Sequence, residues 1–420
     1  MSSQTQSSTQ ATAPKWRLIG PGLVVAATGV GAADLVATLV AGSEYGYALL
    51  WCAIVGCAMK IVLVEGAGRY SLATGRTIFE GWSSLGAWTT WYFGPYIVIW
   101  GFVYGAAAMA GTGLALYALM PFLGVKAWGI ISGLVGLALV WTGRYGLFEK
   151  VLSLMVLLMF VSMVGAAILT VPNLADIAAG LVPVIPDGGL LYTLSLAGGV
   201  GGTITLAAYG YWLREKGWDT PRFMRVMRID NSVAYAVTGL FVVATLIVGA
   251  ELLYSAQIAV ATGDEGMLDL SNVLDDRYGS AAGTVFLIGF WAAAMSSLVG
   301  VWNGVSLMFA DFVGHVRGHD ADHPDSRAGG KYYKAYILWL TLPPIALIFM
   351  GEPVFLILAY GVLGALFMPF LAITLLWLLN TDRTPEEWRN KLHSNIALFL
   401  CAAAFLALAV NQVYETVTGI

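Results

Sequence analysis

Val30-Gly31-Ala32-Ala33-Asp34 and Ala197-Gly198-Gly199-Val200-Gly201-Gly202-Thr203-Ile204-Thr205 each interrupt an apolar segment with glycine. The first follows Gly20-Pro21-Gly22 and Gly29, and the second runs on into Leu206, Ala207, Ala208, Tyr209 and Gly210. Glycine lowers the cost of leaving the helical conformation. The freed carbonyls and amides of such a break are tolerated at membrane depth only where they face a cavity or other protein. The alternative is that these glycines serve close helix packing, as small residues do throughout membrane bundles. Their paired positions and the acid beside the first favour the breaks.

Around these stretches the chain is 59% apolar and only 11% charged, where a soluble domain carries about a quarter charged residues. Long charge-free runs alternate with short polar patches. Helices that satisfy their own backbone are the structures able to cross lipid in runs of about 20 residues. Eleven crossings fit, near 18–42, 46–72, 95–121, 127–143, 150–172, 190–213, 229–253, 282–312, 332–350, 354–379 and 395–414. The fold class is an all-α integral membrane protein. Residues 1–17 form a polar tail expected to be disordered and cytoplasmic, and 18–420 one transmembrane domain. That domain divides into a repeat over about 18–172, a second over about 190–380, and an extra helix at 395–414.

With the N-terminus inside, eighteen Lys and Arg fall in cytoplasmic segments, Lys126 and Arg277 outside, and Lys60 within a span. Such asymmetry supports the count and a cytoplasmic N-terminus, in what is expected to be the plasma membrane. Cys52, Cys57 and Cys401 lie within apolar helices and read as small buried residues. His315, His319 and His323 sit in a charged loop whose Gly318 and Pro324 argue against a metal-binding helix. All four His fall outside the crossings, and no Ser/His/Asp set or phosphate-binding loop lies at membrane depth, so an enzyme is not expected. No resident cofactor and no nucleic acid partner is expected, and the oligomeric state stays open.

The two broken helices are first and sixth, matching places in two five-helix halves. That pattern points to an inverted-repeat secondary transporter with its site at the midplane. Asp34, Lys60 and Glu65 are the ionisable residues that matter there, because such groups are costly in a span unless paired or hydrated. Asp34 has three readings. It can bind a cation together with Thr203, Thr205 and unwound carbonyls, an oxygen set suited to a hard ion. It can cap the outer half of helix one. It can pair with Lys60, which lies within about a turn of the same depth. Pairing would leave a neutral site facing two half-helix N-termini, which suits a small anion such as bicarbonate. Glu65 and Arg69, four apart, read as an intrahelical pair.

The stretch from Gly20 to Gly75 resembles the first two helices of the Nramp (natural resistance-associated macrophage protein) metal-ion transporters. Gly20-Pro21-Gly22, Ala41-Gly42, Tyr45-Gly46-Tyr47, Leu49-Leu50-Trp51, Arg69 and Thr74-Gly75 carry the likeness, with Glu80, Gly202 to Tyr209 and Arg228-Ile229-Asp230 behind them. The resemblance implies a LeuT-like fold and proton-coupled uptake of divalent metal. Together with the helix breaks it points to a substrate site at Gly31, Ala32, Ala33, Asp34, Thr203, Thr205, Leu206, Ala207 and Tyr209, to which the reading of the intramembrane charges adds Lys60 as charge partner and Asp34 as the one weak metal ligand. The departures fall on the chemistry. Gly31-Ala32-Ala33-Asp34 stands where the family has Asp-Pro-Gly-Asn, and Leu206-Ala207-Ala208 where it has Met-Pro-His. Gly105 and Ala108 stand where it has the acids of its proton route. Soft donors favour transition metals and oxygen donors hard ions. The expected cargo is therefore a small inorganic ion, either a hard or hydrated divalent cation such as magnesium or an anion such as bicarbonate. A non-transporting membrane sensor is the further alternative.

Overall fold

The computed structural model describes residues 20–199, 201–254, 272–319, 323–350 and 353–418. The N-terminal tail and most of the acidic loop at 255–280 lie outside them. All regular structure among the described residues is helical. In chain order the passages are Pro21–Gly29 with Ala32–Tyr45, Leu50–Thr74, Ala87–Leu119, Val125–Val140 and Tyr145–Leu169, then Leu190–Gly199 with Tyr209–Glu215, Met224–Gly249, Ser280–Val316, Lys331–Thr341 with Pro344–Met350, Pro353–Leu378 and Leu392–Thr418. They are crossings one to eleven below. Short helices Ile78–Ser84 and Leu174–Gly180 join crossings two to three and five to six. Among the described residues, crossings two, three, five, seven, eight and nine are each long and apolar enough to span a bilayer, and the bent pair of crossing one adds a seventh.

The exterior identifies the solvent. Leu147, Leu154, Val161 and Ile168 recur every seven residues along crossing five and are 48–68% exposed. Phe399, Leu400, Leu406 and Val410 on crossing eleven are 51–65% exposed. An apolar surface of this extent is not tolerated by a monomer in water. It faces lipid.

Crossing eight is the most buried of the long passages. It packs on crossings three, four, five and nine and on the inner half of crossing one. Crossing seven packs along both halves of crossing one. The two interrupted helices are thus held in the middle. The predicted boundaries lie within five residues of the observed ones except in crossing three, and one crossing is divided. Crossing three begins at Ala87 rather than 95, with Trp88 and Trp91 exposed at its end, where amphipathic rings favour the membrane interface. Crossing nine is divided at Pro343-Pro344, because Pro donates no amide and restricts the residue before it.

Candidate substrate site at the paired helix breaks

Crossing one starts on Pro21, whose fixed φ suits a first helical turn. It leaves the helix at Val30 (φ −107°, ψ 95°) and Gly31 (φ −109°, ψ −176°) and resumes at Ala32. The two halves meet at a bend of 58°. Crossing six ends its outer half at Gly199 and passes through Gly201 (φ 93°) and Gly202 (φ 100°). L side chains rarely adopt such angles. A single 3-10 turn, Ile204–Leu206, leads into Tyr209.

The two breaks touch. A methyl group added at Gly29 would lie 2.5 Å from the Gly201 carbonyl carbon and 2.8 Å from the Gly202 nitrogen. Backbone therefore meets backbone at the middle of the bundle. The carbonyls released by the first break find donors on crossing eight: Ser297 Oγ donates to Thr28 O at 2.8 Å and Ser296 Oγ to Ala27 O at 3.3 Å. The Tyr104 and Ser297 hydroxyls share a further bond of 2.8 Å. On the other side of the break, Asp34 Oδ2 accepts the Gly31 amide at 2.8 Å. Asp34 is the third residue of the outer half and reaches back to the residue before it, so it satisfies an orphan donor without being the N-cap itself.

Beside the first break lies a cavity of about 20 Å³, lined by Gly31, Ala32, Tyr104, Ala108, Ser297 and Tyr360 among others. That is room for one water or one small ion. Its wall offers hydroxyls, backbone and small apolar groups, and no carboxylate lines it. The Tyr104 and Tyr360 rings meet edge to face at 4.9 Å and close one side. Among the described residues no group of three His, Cys, Asp or Glu could hold a metal ion.

Of the residues singled out from sequence, Gly31 and Ala32 line the cavity and Asp34 stands a few residues beyond. Ala33 belongs to the outer half of crossing one. Thr203 is buried against Gly364 of crossing ten. Thr205, Leu206 and Ala207 are buried in and after the 3-10 turn, and Thr205 Oγ1 lacks a hydrogen-bond partner among the described residues. Lys60 is fully buried, with its ammonium 4.6 Å from the Phe405 ring centroid and in Coulombic range of Asp34. Glu65 and Arg69 form the expected pair at 3.2 Å, and Arg228 joins Glu65 at 2.9 Å.

Tyr209 serves the inner end instead. Its hydroxyl donates to Asp230 Oδ2 at 2.9 Å, and the same carboxylate accepts the amides of Gly20 at 2.8 Å and Gly22 at 2.5 Å. Asp230 is fully buried. It fastens crossings one, six and seven together at one end of the bundle. Sequence reasoning gave Asp230 no such role, and it also missed Tyr104, Ser297 and Tyr360. The adjacent hydroxyls Ser296-Ser297 within an apolar helix were the available signal.

Residues 22–415 match the family model described as natural resistance-associated macrophage protein-like. Relatives described as divalent metal cation transporter MntH include one from Mycobacterium leprae, 25% identical over 313 residues and 70% of each chain. Another, from Klebsiella pneumoniae, is 24% identical over 397 residues and 92% of each chain. Among solved structures, the Eremococcus coleocola manganese transporter superposes with a TM-score of 0.80 at 14% identity, over 99% of this chain and 90% of that one. MhsT in complex with L-phenylalanine follows with a TM-score of 0.58 at 16% identity, over 93% of this chain and 98% of that one. These likenesses establish a LeuT-like 5+5 fold with broken first and sixth helices, and with the family model matching nearly end to end, the chain belongs to the Nramp family.

Proposed function

We propose that the protein is a secondary transporter that moves a small inorganic ion by alternating access around crossings one and six, in the plasma membrane with its N-terminus in the cytoplasm. The contact of the two breaks at Gly29 and Gly201, with a small cavity beside it, is the observation that carries this reading. The cargo class of the relatives is a divalent metal cation. Asp34 beside the break and the Tyr104 and Ser297 hydroxyls in the cavity wall favour a hard or hydrated ion such as magnesium, because Gly31, Leu206 and Ala208 supply no carboxylate, thioether or imidazole.

A second reading, a small anion such as bicarbonate, is favoured by one specific observation. The cavity wall holds hydroxyls and backbone but no carboxylate, and the nearby Asp34 charge is opposed by buried Lys60. In either case Gly105 and Ala108 leave the third crossing without the acids of the family's proton route.

Flux into liposomes holding the purified protein tests both. Magnesium uptake above manganese, indifferent to a pH gradient and lost in Asp34→Ala, is the expected outcome. Magnesium uptake by that variant at the normal rate overturns the cation reading. Bicarbonate flux that survives Asp34→Ala and is lost in Lys60→Met supports the anion. No flux of any of the three ions overturns the assignment and leaves a non-transporting sensor.

A further inference from the structure

A second feature lies at the bundle end that the charge asymmetry assigns to the cytoplasm. Two adjoining openings, of about 390 and 660 Å³, share Arg228 and Trp388 and form one groove between the ends of crossings two, seven and eleven. Six cationic side chains line it (Arg69, Arg222, Arg225, Arg228, Arg389 and Lys391) against two carboxylates, Glu65 and Glu387.

The fold has already used some of that charge. Arg69 is buried, pairs with Glu65 and donates to Trp388 O at 3.1 Å and Asn390 Oδ1 at 2.7 Å. Arg228 takes the other Glu65 oxygen, and Arg389 donates to Thr384 O at 3.0 Å. Arg222, Arg225 and Arg228 project from the start of crossing seven at three-residue spacing, and all three are exposed. A helix N-terminus is the end where its dipole repels cations. Glu65 offsets Arg228, and Arg222 and Arg225 stay unfavourable there unless a further anion sits among them. Lys391 is exposed across the groove.

Below the cations the walls turn apolar. Ile61, Val62 and Leu398 line the groove, and Ile229, Leu392 and Ile396 beside it are 48–76% exposed. Trp388 sits where the two characters meet, as indoles do at a membrane interface. A soluble anion would use the cationic rim alone. A phospholipid uses both, with its phosphate on the arginines and its acyl chains along the apolar wall.

We propose that this groove binds an anionic phospholipid of the inner leaflet, with its headgroup phosphate held by Arg225, Arg228 and Lys391. The site is independent of the cargo and of the paired breaks.

The test is native mass spectrometry of the full chain in detergent, titrated with phosphatidylglycerol, phosphatidylcholine or glycerol phosphate. Arg225→Gln/Lys391→Gln is the informative variant, since neither side chain has an intramolecular partner among the described residues. Each cation near an anionic membrane surface contributes roughly fivefold. Phosphatidylglycerol should therefore bind the double variant ten- to thirtyfold more weakly than the wild type, with phosphatidylcholine retention unchanged in both. Lys150→Gln, an exposed cation elsewhere on the same face, should leave phosphatidylglycerol binding within twofold. Equal binding by wild type and double variant overturns the site. An equal loss in Lys150→Gln overturns it in favour of general surface charge. Glycerol phosphate binding as tightly as phosphatidylglycerol overturns the lipid assignment in favour of a soluble phosphate. A circular dichroism melt in the same detergent shows whether the double variant is folded, and should it not be, the single variant Arg225→Gln decides at about fivefold.

Discussion

At position 29 a single methyl group decides whether the two broken helices can meet. The Gly201 carbonyl and the Gly202 amide occupy the space a β-carbon would need, and both groups are backbone that cannot rotate aside. Overpacking of this kind costs about 1–3 kcal/mol. Gly29→Ala is expected to lower the melting temperature and reduce ion flux at least tenfold. Gly146→Ala, a helical glycine with open space around it, should leave flux unchanged. Asp34 allows a finer separation. Asn at that position keeps an oxygen for the Gly31 amide but removes the charge, whereas Ala removes both. If Asp34 only caps, Asp34→Asn transports near the normal rate and Asp34→Ala fails. If Asp34 is a cation ligand, both lose magnesium flux by comparable factors, measured in the same liposomes.

Between elements, the Asp230 carboxylate ties crossing one to crossing six at the inner end, where an inward opening would part them. It gathers two amides from crossing one and the Tyr209 hydroxyl from crossing six. Hydrogen bonds to a buried charged group contribute about 1.5–3 kcal/mol. Asp230→Asn offers one acceptor oxygen in place of two and is expected to favour the inward-open state. The check is thiol labelling of Ala32→Cys in the cavity wall, with an impermeant reagent applied from the cytoplasmic side. Labelling should be several-fold faster with Asp230→Asn than without it, and an unchanged rate removes the tie from the gate. Crossings six and seven show why the sequence was legible in one place and not another. Gly198 to Gly202 announced a break because a run of glycine is a local signal. Asp230 meets Gly20 across 210 positions, and no local rule pairs them. Tyr104, Ser297 and Tyr360 likewise come from three different crossings, so their common cavity exists only after packing.

Over the whole molecule, the sorting of charge and the lipid-facing surface have to agree on the same eleven passages. Helix count and order were legible because hydrocarbon thickness sets a segment length that composition reveals directly. The weakest passage is crossing four. Its sixteen residues, Val125–Val140, rise only about 24 Å at 1.5 Å each, less than the roughly 30 Å of a hydrocarbon core. If it nonetheless crosses, Lys126 in its first turn and Lys150 after it stand on opposite sides of the membrane, and both are exposed. The native Cys52, Cys57 and Cys401 are buried, so one introduced cysteine should dominate labelling. In intact cells an impermeant maleimide is expected to modify Lys126→Cys, and to reach Lys150→Cys only after the membrane is permeabilised. The reverse pattern would invert the topology and move the basic groove to the outer face. Equal labelling of both in intact cells would mean that crossing four does not span. The first five-helix half would then lose one passage, every later loop would change sides, and the charge asymmetry that assigns the cytoplasmic face would be lost.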